Sequence, residues 1–156
     1  MKEQETRNII KKEEVKAIQL SNGLDESDRV KKFTTVDLSD KKDSNMLVNA
    51  MQKPDKYLKD CIDQVIECVG CYVIARDNDS FNEDTGETVT RTKHVLVLFD
   101  VNGKSYLTGS GMCYRAFSDI TSINGLPSKE NHLKLKPINI DAEEKGHKFL
   151  SLVVVD

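Results

Sequence analysis

From position 64 onward the chain alternates short runs rich in β-branched residues with turn signals in a fixed order: strand, strand, strand, helix, strand, strand. Val, Ile, Cys and Tyr crowd residues 64–77 (QVIECVGCYVIARD), which suits a pleated, half-buried surface. Gly70 interrupts that run, and an isolated glycine inside a strand marks a bulge or a tight bend. A second strand is read over 89–100 and a third over 104–108. Between them Asn102-Gly103 supplies the positive φ angles of a tight hairpin. Residues 112–123 place Met112, Ala116, Phe117, Ile120 and Ile123 on one face of a helix that stops at Asn124-Gly125. Two more strands close the chain, 133–140 with Pro137 at an edge or bulge, and 148–155. This order predicts a mainly β fold: a five-stranded barrel of the oligonucleotide/oligosaccharide-binding (OB) type, with one helix between strands 3 and 4.

Ahead of the strands the character changes. Residues 1–43 interleave Lys and Arg with Asp and Glu and hold few large apolar groups, which predicts a flexible arm, with 44–156 as the folded OB-type domain. Within the arm, residues 33–40 (FTTVDLSD) show β-branched alternation, so pairing with a barrel edge or a neighbouring subunit is a second reading and self-association through the arm a candidate property. Residues 45–52 carry Met46, Leu47, Ala50 and Met51 at helical spacing, and Pro54 ends that helix and opens a short second one. These short N-terminal helices are expected to plug one end of the barrel through Leu47, Met51, Tyr57 and Leu58.

A chain of 156 residues with 31% charged and 38% hydrophobic residues has room for one core. It never strings 18 apolar residues together, so no membrane partner is expected. Charges stand where a secretory signal needs an apolar run, which predicts a cytoplasmic location. Four cysteines, at 61, 68, 71 and 113, therefore read as reduced and partly buried. Cys68 and Cys71 form a C-x-x-C inside a β-rich run with no second pair, which fits neither a zinc ribbon nor a thioredoxin-like helix start. Three scattered histidines add no metal site, Gly103-Lys104-Ser105 lacks the earlier glycine of a phosphate loop, and no acid/base or nucleophile grouping is legible. The expectation is a protein without cofactor, metal or catalytic activity.

Net charge is −3, yet five carboxylates and no base fall in residues 77–87, so a basic groove is compatible with an acidic total. Proteins that hold single strands stack bases on aromatic rings set among cations that follow the phosphates. The rings available are Tyr72, Phe81, Phe99, Tyr106 and Tyr114, of which Tyr72, Phe81 and Tyr106 are the best candidates for exposure. The cations to join them in a DNA-binding site are Arg76, Arg91, Lys93, Lys104, Lys134, Lys136 and Lys148, with Arg115 in the wider set. Along the second strand Arg91 and Lys93 share a face with Val95, Val97 and Phe99, while Thr90, Thr92, His94, Leu96 and Leu98 share the other. Both faces turn apolar towards Phe99, so alternation alone does not say which is outside.

Several of these features occur together in one known group. Asp100 to Gly103 followed by Tyr106, the helix with Ala116, Asp119 and Ile120, and the Lys145-Gly146 turn leading to Phe149-Leu150-Ser151-Leu152 give residues 95–155 a likeness to a family. That stretch resembles the single-stranded-DNA-binding proteins of small, protein-primed tailed phages and related mobile elements of Gram-positive bacteria. The resemblance implies a non-enzymatic protein that coats displaced strands during DNA replication or transfer, without strong sequence preference. The alternative is an acidic OB-type module that binds another protein as an inhibitor or DNA mimic.

Overall fold

A computed structural model describes residues 17–25, 27–141 and 146–156. Among the described residues the chain is mainly β, with eight strands in one sheet and two α-helices. In chain order these are β1 (Ile18–Leu20), β2 (Val30–Thr34), α1 (Lys41–Gln52), β3 (Lys56–Tyr57), β4 (Ile66–Asn82), β5 (Glu87–Asp100), β6 (Ser105–Thr108), α2 (Gly111–Asn124), β7 (Leu133–Asp141) and β8 (Lys148–Val155). A 3-10 turn at Leu58–Asp60 follows β3.

Strands β4, β5, β6, helix α2, β7 and β8 follow the expected order, but the sheet is larger and open. Its main path runs β1-β2-β4-β5-β6-β3, and β7 leaves from the start of β4 to pair with β8. Among the described residues β8 pairs with β7 alone, so no ladder joins it to β6 and the five strands do not close into a barrel through hydrogen bonds. The bulge expected at Gly70 is there: the β4–β5 register shifts between Cys68 and Gly70. It divides β4 into a start that pairs with β7 and a long remainder that pairs with β2 and β5. A Cβ at Gly70 would sit 3.3 Å from Val36 Cγ2, so any larger residue there would have to push the Val36 side chain aside.

Part of the expected arm belongs to this sheet. Antiparallel β2 pairs from Val30↔Arg76 to Thr34↔Tyr72, and β1 adds outside it. Thr34 Oγ1 donates to the Cys71 carbonyl at 2.8 Å, Thr35 Oγ1 to the Pro127 carbonyl at 2.7 Å, and the Cys71 N–H donates to Thr35 Oγ1 at 3.1 Å. Polar side chains here add to the sparse apolar burial of Leu20 and Val36, which is why a charged composition conceals ordered strands. Residues 1–16 lie outside the described residues, as does Lys145 of the expected closing turn.

Two apolar layers sandwich the sheet. On the inner face Cys71, Leu96, Leu98 and Tyr106 pack with Cys113 and Phe117 of α2 and with Leu133, Leu135 and Leu152. On the outer face Tyr72, Val97 and Phe99 pack under Leu47 and Ala50 of α1, with Val36 beside them. Both faces of β5 turn apolar towards Phe99 because each has a helix over it. Helix α1 thus covers an outer sheet face instead of plugging a barrel end. Leu47 and Leu58 are buried as expected, Met51 is half-buried, and Tyr57 is exposed on edge strand β3. Helix α2 is capped by Ser110, whose Oγ accepts from the Cys113 N–H. Its buried stripe runs through Cys113 and Phe117, leaving Met112 and Ile123 in solvent.

All four cysteines are free and buried. Burial pushes the thiols of Cys68 and Cys113 up to about 12 and that of Cys71 up to about 11, so they stay protonated at neutral pH. No helix among the described residues is long and apolar enough to cross a membrane.

Candidate nucleic-acid interface

The stretch expected to be an acidic loop, 77–87, is strand for most of its length. Strands β4 and β5 stay paired out to Asn82↔Glu87, with a turn only at 83–86. Beyond the reach of β2 and β6 they form a two-stranded ribbon whose residues are nearly all exposed.

Paired residues of an antiparallel ladder project to the same side, so the register sorts the ribbon's charges. Arg76 faces Lys93, Asn78 faces Arg91, and Ser80 faces Val89 on the outer side. Val30 of β2 pairs with Arg76, and Lys32 with Ile74, which adds a fourth cation to the same surface. Asp77 and Asp79 fall on the opposite side with Thr92 and Thr90. There Thr92 Oγ1 donates to Asp77 Oδ1 at 2.7 Å, Thr90 Oγ1 donates to Asp79 Oδ1 at 2.8 Å, and Arg29 binds both Asp79 oxygens. Arg29 and then Thr90 hold the Asp79 carboxyl down at about 2. The acids are thus occupied on one face, while Lys32, Arg76, Arg91 and Lys93 on the other make no ion pair with any described residue. From Val30 to the ribbon end, the single carboxylate on the outer side of β2, β4 and β5 is Glu87, in the last pair.

One placement runs against sheet stability. Like charges directly opposite each other on neighbouring strands repel, and sheets ordinarily put opposite charges there. Arg76 and Lys93 are such a pair, with the apolar Ile74 and Val95 as the next pair towards the core. Local departures of this kind are characteristic of functional sites.

The remaining expected site residues lie elsewhere. Tyr72 and Tyr106 are both 7% exposed and belong to the two apolar layers, which rules them out as open stacking surfaces in this conformation. Tyr106 is fixed by its hydroxyl, which donates to Asp100 Oδ2 at 2.7 Å. Asp100 Oδ1 accepts from the N–H groups of Asn102 and Lys104 at 2.8 and 3.0 Å, so this ring organises the hairpin from inside. Phe81 is exposed as expected, but it pairs with Thr88 on the side of Asp77 and Asp79, away from the cations. Lys104 sits in the β5–β6 hairpin at the far end of β5. Lys148 opens β8 opposite Asp141. Lys134 pairs with Glu67, and Lys136 lies two residues further along β7. Glu67 and Arg76 are nine residues apart on β4, about 30 Å in an extended strand. Of the expected set only Arg76, Arg91 and Lys93 come together. Lys32 lies in the stretch expected to be an arm, and β2 extends N-terminally from Phe33 to Val30 instead of along the alternating residues 33–40.

Among the described residues no group of three His, Cys, Asp or Glu side chains is arranged to hold a metal ion. The chain matches no protein-family model, no curated protein and no solved structure.

Proposed function

We propose that the chain is a single-stranded-DNA-binding protein that holds its ligand mainly through the phosphates, along the outer face of β2, β4 and β5. The observation that carries this reading is the unpaired cation strip of Lys32, Arg76, Arg91 and Lys93, with two like charges set directly opposite each other. Excess positive charge at that position costs stability in the free protein and becomes favourable when a polyanion lies across it. The strand order of β4 to β8 supports an opened OB-type frame, the architecture in which such ligands are held on an outer sheet face. Apolar Val30, Ile74 and Val95 between the cations offer unstacked bases a surface that a rigid duplex does not need. With no open aromatic on the strip, binding is governed by charge and shows little sequence preference. Coating of displaced strands during phage or mobile-element DNA replication, without catalysis, is the role that fits this chemistry.

Titration of a fluorescent oligothymidine at 50 and 200 mM salt tests the reading. The proposal requires binding at low salt that weakens by about 50-fold at high salt, the fall that four phosphate contacts give over a fourfold rise in salt. Absence of binding at 50 mM, or binding indifferent to salt, refutes it and leaves the protein-interaction module as the working alternative.

A further inference from the structure

The β5–β6 ladder ends at Leu96↔Thr108, after which the chain leaves the sheet through Gly109 into α2. From Glu87 to Val95 the edge of β5 that β6 would continue has no partner strand among the described pairs. A cleft of about 600 Å³ separates this edge from the first turns of α2. Its walls carry Arg91 and Lys93 from β5 and Arg115 from α2, and its carboxylate, Asp79, is already engaged by Arg29 and Thr90. At its inner end His94 and Tyr114 stack with ring centroids 3.9 Å apart and planes 8° from parallel. Burial keeps the His94 imidazole from taking a proton as readily as it does in water, so the stack presents neutral rings near pH 7.

We infer that this cleft is a nucleotide subsite, in which Arg91, Lys93 and Arg115 receive a phosphate and the His94–Tyr114 stack receives a base. The inference deepens the single-stranded-DNA reading and rests on it. The three lining cations outnumber the one lining carboxylate, Asp79, which Arg29 holds, and Asp77 beside His94 accepts from Thr92; that balance favours an anion, and parallel π faces beside the cations match the flat base that follows a phosphate along a nucleic-acid strand. Because Arg91 and Lys93 border both surfaces, a strand lying on the outer face continues over the β5 edge into the cleft. This supplies the stacking contact that the outer face itself lacks.

Arg115 is exposed, so Arg115→Ala leaves the core intact and tests the phosphate half. With a fluorescent oligothymidine at 100 mM salt, affinity is expected to fall about 3- to 10-fold, and the slope of log K against log salt to become less negative by about 0.7. The base half is read by photocross-linking an oligonucleotide carrying 5-iododeoxyuridine, with adducts expected on Tyr114 or His94. An Arg115→Ala variant that binds within twofold of the wild type, or adducts found only outside the cleft, overturns the subsite while the outer-face reading stands. A wild-type protein that binds no oligothymidine overturns that reading and the subsite together.

Discussion

Replacing Arg76 by Glu changes stability and binding in opposite directions. Directly opposed residues in an antiparallel pair have Cβ atoms about 5 Å apart, and Arg76 and Lys93 are so opposed. Two unit charges at that distance in water interact by about 0.8 kcal/mol, and ionic screening at physiological salt cuts this to about 0.5 kcal/mol. Long side chains splay, which makes that value a ceiling. Turning a repulsion of up to about 0.5 kcal/mol into an attraction of the same size stabilises the fold by at most about 1 kcal/mol. For a chain of this length the melting temperature rises by about 1–4 °C at low salt, an increment that shrinks as salt is added. The same change removes a phosphate contact and places a carboxylate in the strip, so oligothymidine affinity falls by at least tenfold. Circular-dichroism melts at 50 and 500 mM salt, paired with anisotropy titrations, read both quantities. A variant that is less stable than the wild type, or that binds DNA equally well, refutes the claim that the pair is kept for a polyanion.

Three other outcomes follow from the packing. Tyr106→Phe removes one of the three hydrogen bonds accepted by the Asp100 carboxylate; about 1.5–3 kcal/mol is lost in denaturant unfolding, while DNA affinity per folded molecule is unchanged. Deleting residues 1–43 removes β1, β2, the hydrogen bonds that Thr34 and Thr35 make with Cys71 and Pro127, buried Val36, and the Asp40 cap and first three residues of α1, so stability drops by at least about 3–5 kcal/mol; an unaltered melt would show that these segments are dispensable. The imidazolium of His94 is disfavoured on folding, so the unfolded chain binds more protons and stability declines as pH falls through the ordinary histidine value of 6.5. His94→Phe removes that part of the decline, measured as the melting temperature between pH 7.5 and 5.5.

Periodicity and turn chemistry make the strand order from 64 to the C-terminus legible, because Gly70 marks the bulge and Gly103 and Gly125 take the positive φ their turns require, while Asn102 does not share it. The charged residues 77–87 hid the ribbon: a two-stranded extension is solvated on both faces, so it shows no apolar alternation. Strands β1 and β2 are hidden for a different reason, since threonine hydroxyls and backbone pairing supplement the few apolar contacts, from Leu20 and Val36, that attach this segment. The tyrosines were misplaced because a phenol tolerates water and also serves as a buried donor, and only the location of Asp100 decides between these for Tyr106. For the cations, alternation along β5 already grouped Arg91 with Lys93. Cross-strand register, which sequence does not state, was needed to add Arg76 and Lys32 and to send Asp77 and Asp79 to the other side.

Whether the cation strip holds single-stranded DNA is decided by the salt dependence of oligothymidine binding, compared between the wild type and a variant with Lys32, Arg76, Arg91 and Lys93 all replaced by Gln. Each phosphate neutralised on a single strand contributes about −0.7 to the slope of log K against log salt, so the wild-type slope is expected to be about −3 or steeper and the variant slope shallower by about 3. Equal slopes for the two proteins, or a wild-type slope near zero, would contradict the account.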